Sequence, residues 1–158
     1  MPSPHELADS YLAGAAQLRA AVAGMTREQL LARPVAGRWS TLEVVCHLAD
    51  FDAVLADRMK RIVALGRDVP LLLIADENLY AAELKYHERD VEEELAVVEA
   101  TRRQMARIVR ALAPEALQLT GNHSKKGLQT LEKVIQTATG HISHHLPFIA
   151  DKRKALGA

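Results

Sequence analysis

Three histidines fall within five residues, at His141, His144 and His145. A helix turns once every 3.6 residues, so His141 and His145 would project from one face. Leu131, Val134, Ile135, Ala138, Ile142, Ile149 and Leu156 recur at helical spacing and define an apolar stripe. His141 and His145 lie on that stripe or its near flank, whereas His144 is turned toward the polar side with Lys133 and Asp151. Imidazoles aimed into an apolar interior need partners, because unpaired buried polar groups are costly. A transition metal satisfies both at once. Hydrogen bonds to a carbonyl and a carboxylate would also do so, and the pair alone fits either.

A catalytic type of metal site needs a third protein ligand and an open position. The candidates are His47, His123, His87, Asp76 and His5. His47 is favoured because it lies well inside a long helix in mostly apolar surroundings. His123 is on a loop just before the histidine helix and could close over the site. His5 and His87 read as surface residues. Motifs for other chemistries are absent: Glu-x-x-His, His-Glu-x-x-His, a glycine-rich phosphate loop, Cys-x-x-Cys and a nucleophile elbow. Cys46 adjoins His47, but neighbouring helical residues point about 100° apart, which argues against a Cys–His nucleophile.

Four long helices must position these residues. Ser3-Pro4-x-Glu6 is a capping box that opens the first, with Leu7, Tyr11, Ala15, Leu18, Val22 and Met25 as its stripe. Ser40-x-x-Glu43 opens a second that should run to about Leu65 and stop at Gly66. Residues 67–89 are hardest to read; a loop feeding a short helix over about Ile74–Leu84 is expected, with Asp76 and Glu77 near its start. Asp90 caps a third long helix to about Leu112, and Thr130 caps the last, which should bend at Pro147 yet continue. Arg102 falls on the third helix's apolar stripe, where it can snorkel outward, pair with an inward carboxylate or meet an anionic ligand. No strand-like alternation of useful length occurs. The expected fold is all-α, an up-and-down four-helix bundle with an additional short helix, forming one domain over residues 1–158.

Composition limits the function. Lys+Arg and Asp+Glu both count 20, so the basic excess of a general nucleic-acid binder is missing. The Asp151-Lys152-Arg153-Lys154 run reads as charge complementing a helix C-terminus. A single cysteine excludes an internal disulfide and suits a reducing, cytoplasmic setting. No signal-like N-terminus and no apolar run near 20 residues is present, so no membrane association is expected.

Taken in order, Trp39-Ser40-x-x-Glu43-x-x-x-His47-Leu48-x-Asp50, Arg102, His123-x-x-x-Gly127-x-x-Thr130 and His141-x-x-His144-His145 resemble the DinB/YfiT-like superfamily of four-helix metal proteins. The similarity covers nearly the whole chain. It departs at Pro147-Phe148, where many members show a polar residue. The resemblance implies a divalent metal held by one histidine of the second long helix and two of the last, which here are His47, His141 and His145. Nickel or zinc is the expected ion, with manganese or iron as alternatives. Some members resemble thiol-dependent S-transferases using bacillithiol, mycothiol or glutathione, and others are described as hydrolases. The resemblance thus implies a metal-dependent S-transferase or hydrolase acting on a small molecule, a low-molecular-weight thiol as a further cofactor, and a homodimer. Arg102 and His123 are the candidate catalytic residues. The competing reading is a non-catalytic metal-binding or stress-related bundle; a third is a bundle without metal.

Overall fold

The structure, a computed structural model, describes residues 2–158. Its long helices are α1 (Pro4–Val22), α3 (Thr41–Leu65), α5 (Val91–Arg110) and α6 (Leu131–Leu156). Each begins at the cap its sequence announces. Ser3 and Ser40 form reciprocal capping boxes with Glu6 and Glu43, and the Asp90 and Thr130 side chains accept backbone N–H groups of the first turn. Helix α6 runs unbroken through Pro147. The additional short helix is α4 (Glu77–Glu83), capped by Asp76 rather than starting at Ile74.

The four-helix bundle is the expected one, but its helices do not strictly alternate in direction. Helix α1 packs on α5 and α6, as does α3, so consecutive α1 and α3 lie across a diagonal. Arg19 of α1 meets Glu92 and Glu99 near the start of α5, while Arg110 near its end meets Asp9, so these two are antiparallel. Helices α3 and α5 are parallel. Cys46 meets the Tyr86 carbonyl and Asp50 meets Arg89 just before α5, and Asp52 meets Arg102 within it. The reason is residues 66–90, which are long enough to carry the chain back along α3 before α5 begins.

Two further features escape the periodicity. A five-residue helix, α2 (Arg27–Leu31), is capped by a Thr26–Gln29 box. A three-stranded sheet joins β1 (Leu71–Leu72), β2 (Thr120–His123) and β3 (Gly127–Thr130), parallel between the first two and antiparallel between the last two. Gly121 is required there, because a Cβ would sit 2.8 Å from a Leu72 methyl and 3.0 Å from Ile62. Among the described residues no helix is long and apolar enough to cross a membrane.

Among the described residues the core holds one fully buried charged pair. Arg102 and Asp52 are both 0% exposed. Arg102 gives Nε and Nη2 to the two Asp52 oxygens at 2.6 and 2.8 Å, Nη1 to the Tyr11 carbonyl at 2.6 Å and Nη2 to the Ala138 carbonyl at 2.9 Å. One guanidinium therefore ties all four long helices together.

Candidate metal centre

His47 of α3 and His141 and His145 of α6 converge, each offering one ring nitrogen within a cluster 4.8 Å across. The Nε2 atoms of His47 and His141 face each other at 3.0 Å. His47 lies between Trp39 and Phe51, with ring centroids at 5.1 and 4.5 Å. Phe51 is one turn along α3 from His47, so the wall and the ligand come from the same helical face. The cluster is therefore a set of imidazoles in an aromatic lining rather than a hydrated surface patch.

These nitrogens fit a divalent cation. The facing Nε2 atoms of His47 and His141 have no carboxylate or carbonyl between them. The second ring nitrogen of each of the three histidines, Nδ1, is buried without a protein hydrogen-bond partner. No protein group other than a neighbouring imidazole therefore competes for these rings at hydrogen-bonding distance. Burial holds the imidazoles neutral, lowering His47 and His145 to about 4 and His141 to about 3, with each other's proximity adding to the effect for His47 and His141. Neutral imidazole is the form that binds metal. A cation at about 2.1 Å from each nitrogen would set them roughly 3.0–3.4 Å apart, which the closest pair already satisfies and a ring movement of about 1–2 Å would give the widest.

The depressed values make the metal-free protein sensitive to acid. An unfolded chain protonates these imidazoles near their ordinary 6.5, and the folded chain does so only near 3–4. Between those limits the unfolded state binds more protons, so stability falls as pH drops from about 6.5 toward 4 and is fully present above that range. Melting of the metal-free protein at pH 7.5 and pH 5 should show this loss, and His141→Gln should reduce it. An equal loss in that variant would place the effect elsewhere.

The other sequence candidates lie apart from the cluster. Arg102 spends four hydrogen bonds inside the core and points at no cavity ligand. His123 ends β2, and its Nδ1 accepts the Lys125 and Lys126 backbone N–H groups, so it organises the hairpin turn. Asp76 caps α4. His5 and His87 are exposed, as expected, and so is His144, whose ring stands edge-on to His145 and Phe148. Burial pushes the Cys46 thiol up to about 12, which keeps it unreactive.

A cavity of about 520 Å³ opens beside the cluster, lined among others by Trp39, Glu77, His144, Phe148, Arg38 and Lys152. Glu77 Oε2 lies 3.9 Å from His47 Nε2. Sequence reasoning placed Glu77 only at a helix start; nothing in its spacing connects it to histidines 30 and 64 residues away. The crossover brings it there by laying α4 against α3.

A family model described as the DinB superfamily matches residues 11–149. An Oceanobacillus iheyensis protein, OB0782, provisionally named a metal-dependent hydrolase, is 30% identical over 139 residues, covering 87% of this chain and 79% of that protein. The solved structure of YfiT from Bacillus subtilis, described with the same reserve as a metal-dependent hydrolase with an unusual four-helix bundle topology, superposes with a TM-score of 0.89 at 23% identity, over 98% of this chain and 87% of that one. With its bundle, its crossover and its family match over most of its length, the chain belongs to the DinB superfamily.

Proposed function

We propose that the protein is a metal-dependent hydrolase of a small molecule, with His47, His141 and His145 as the protein ligands of one divalent cation. The observation that carries this reading is the convergence of three neutral imidazoles from two helices, two of which, His141 and His145, line an open cavity while the third, His47, is buried behind them. Three protein ligands leave coordination positions for water or substrate, and a bound divalent ion lowers the pKa of such a water toward neutrality. The chain's own contributions are then separable. The three histidines fix the ion, Trp39 and Phe51 limit solvent around His47, and Glu77 Oε2 is the proton acceptor beside the cluster. Among the described residues Glu77 is the one carboxylate lining this cavity.

A second reading puts a low-molecular-weight thiol where the hydrolase uses water. The cavity has room for a thiol as well as for a substrate with its water. Nickel and zinc, both suited to imidazole ligands, are the ions to test first.

Metal analysis of untagged protein should find close to one divalent ion per chain, and occupancy near zero after adding back nickel, zinc or manganese would remove the proposal. The loaded protein should then be assayed on ester and amide substrates without thiol, and on electrophilic acceptors with thiols. Glu77→Gln is expected to lower turnover by about 10²–10⁴-fold, the usual range for a proton acceptor, while metal content stays near wild type. Unchanged turnover would take Glu77 out of the chemistry, and a thiol requirement would favour the second reading.

A further inference from the structure

The cavity beside the histidine cluster has a cationic wall for which the metal reading has no use. Lys152 stands in α6 seven residues after His145, two turns along the same helical face. It lines the cavity, yet the residue is only 3% exposed. A lysine is almost never buried without a paired carboxylate. Here Nζ donates to the Phe148 carbonyl at 3.1 Å, and none of the ion pairs among the described residues includes it.

The buried carboxylate in its surroundings, Glu43, is already committed. It accepts from Arg33 Nη2, from Arg33 Nε at 3.1 Å and from the Ser40 backbone N–H at 2.7 Å. Arg38 lines the same cavity and adds a like charge. Asp151, the neighbour of Lys152 in sequence, and Glu43 act on the ammonium through space without an ion pair to it. A divalent ion on three neutral imidazoles would make the cavity more positive still, with Glu77 the one carboxylate among its lining residues. The ammonium bonds the carbonyl of the residue four before it, so the side chain turns back along α6 on the side from which His145 precedes it. Two of its three N–H groups remain for a ligand.

We infer that Lys152 is the counter-charge for a substrate carboxylate. The cavity then takes a small organic acid whose reacting group sits at the histidine cluster and whose carboxylate, a few bonds away, pairs with Lys152 Nζ. The position of the reacting group rests on the metal reading above; the carboxylate contact does not. Trp39 and Phe148 provide the apolar walls between the two ends.

The test uses the full chain loaded with cobalt, and two probes that differ only at the far end: 3-mercaptopropionate and its amide. Thiolate-to-cobalt absorption reports the metal contact, and emission of Trp39, the single tryptophan, reports occupancy of the cavity. Wild type should bind the acid about 10-fold or more tightly than the amide, as a charge-assisted contact in a buried setting provides. Lys152→Met keeps the aliphatic length and should bind the two alike, with cobalt content and amide affinity retained. Lys152→Arg should keep the preference. Equal binding of acid and amide by cobalt-loaded wild type would overturn the inference and leave the metal reading standing, as would an acid preference that survives in Lys152→Met. Protein that takes up no cobalt would defeat the metal reading instead. In that event the acid should still change Trp39 emission in wild type and not in Lys152→Met, and failure of that difference would overturn the inference as well.

Discussion

Changing His47, His141 or His145 to alanine, one at a time, is expected to empty the metal centre. Each substitution leaves two imidazoles, and a bidentate site holds a divalent ion far more weakly than a tridentate one. The loss should exceed the roughly 10–100-fold that removal of an outer hydrogen-bonding partner costs. His144→Ala should stay within that outer range, because His144 is exposed and meets the cluster only through the edge of its ring. Metal titration of the four variants separates three pictures. Loss in the first three alone supports the cluster as drawn. Loss in His144→Ala with retention in His145→Ala would mean an i, i+3 pair on α6 and a different ligand set. Lowered melting in His47→Ala, His141→Ala and His145→Ala with no change in metal content would make these histidines packing residues.

The positions of His141 and His145 could be read from sequence because helical periodicity places a residue on a face without knowledge of its neighbours. The same logic is silent on which way His47 faces, at the edge of the α3 stripe; its place well inside a long helix in apolar surroundings favours it over His123, and the family resemblance then selects it. Caps were legible for the same local reason. Ser3, Ser40, Asp90 and Thr130 act within three residues of themselves. The sheet was not legible, since Thr120–His123 and Gly127–Thr130 carry no alternating apolar pattern and hold together through backbone pairing with each other and with Leu71–Leu72. Glu77 and Lys152 illustrate the remaining gap. Each follows a local rule, one at a helix start and one near a helix end, and only tertiary placement turns both toward the same cavity.

Arg102 had a readable signal on each side: it interrupts the α5 stripe, and Asp52 interrupts the Leu48, Leu55, Met59 stripe of α3. What could not be read was that these two interruptions face each other, so an outward-snorkelling or ligand-binding arginine stayed open. The arrangement leads to a large expected effect. Arg102→Met fills much of the volume but leaves the Asp52 carboxylate buried without its cation, and leaves the Tyr11 and Ala138 carbonyls without a donor from α5. Removing one partner of a buried pair costs about 3–5 kcal/mol, which for a chain of this size is roughly 6–20 °C in Tm. Asp52→Leu combined with Arg102→Met should cost less than the sum of the two single changes, because the double variant strands no charge. Gly14→Ala should act through the same residue, since a Cβ there would clash with Arg102 Nη1. The consequence reaches the metal centre. Asp52 lies five residues after His47, and the Ala138 carbonyl lies three before His141, so the guanidinium sets how α3 and α6 stand against each other where their histidines meet. Metal affinity of Arg102→Met, measured below its melting temperature, should therefore fall by about 10-fold although no ligand has changed, in the range seen when support behind a ligand is lost. Unchanged affinity in a folded Arg102→Met protein would show that the histidines hold their geometry without this tie.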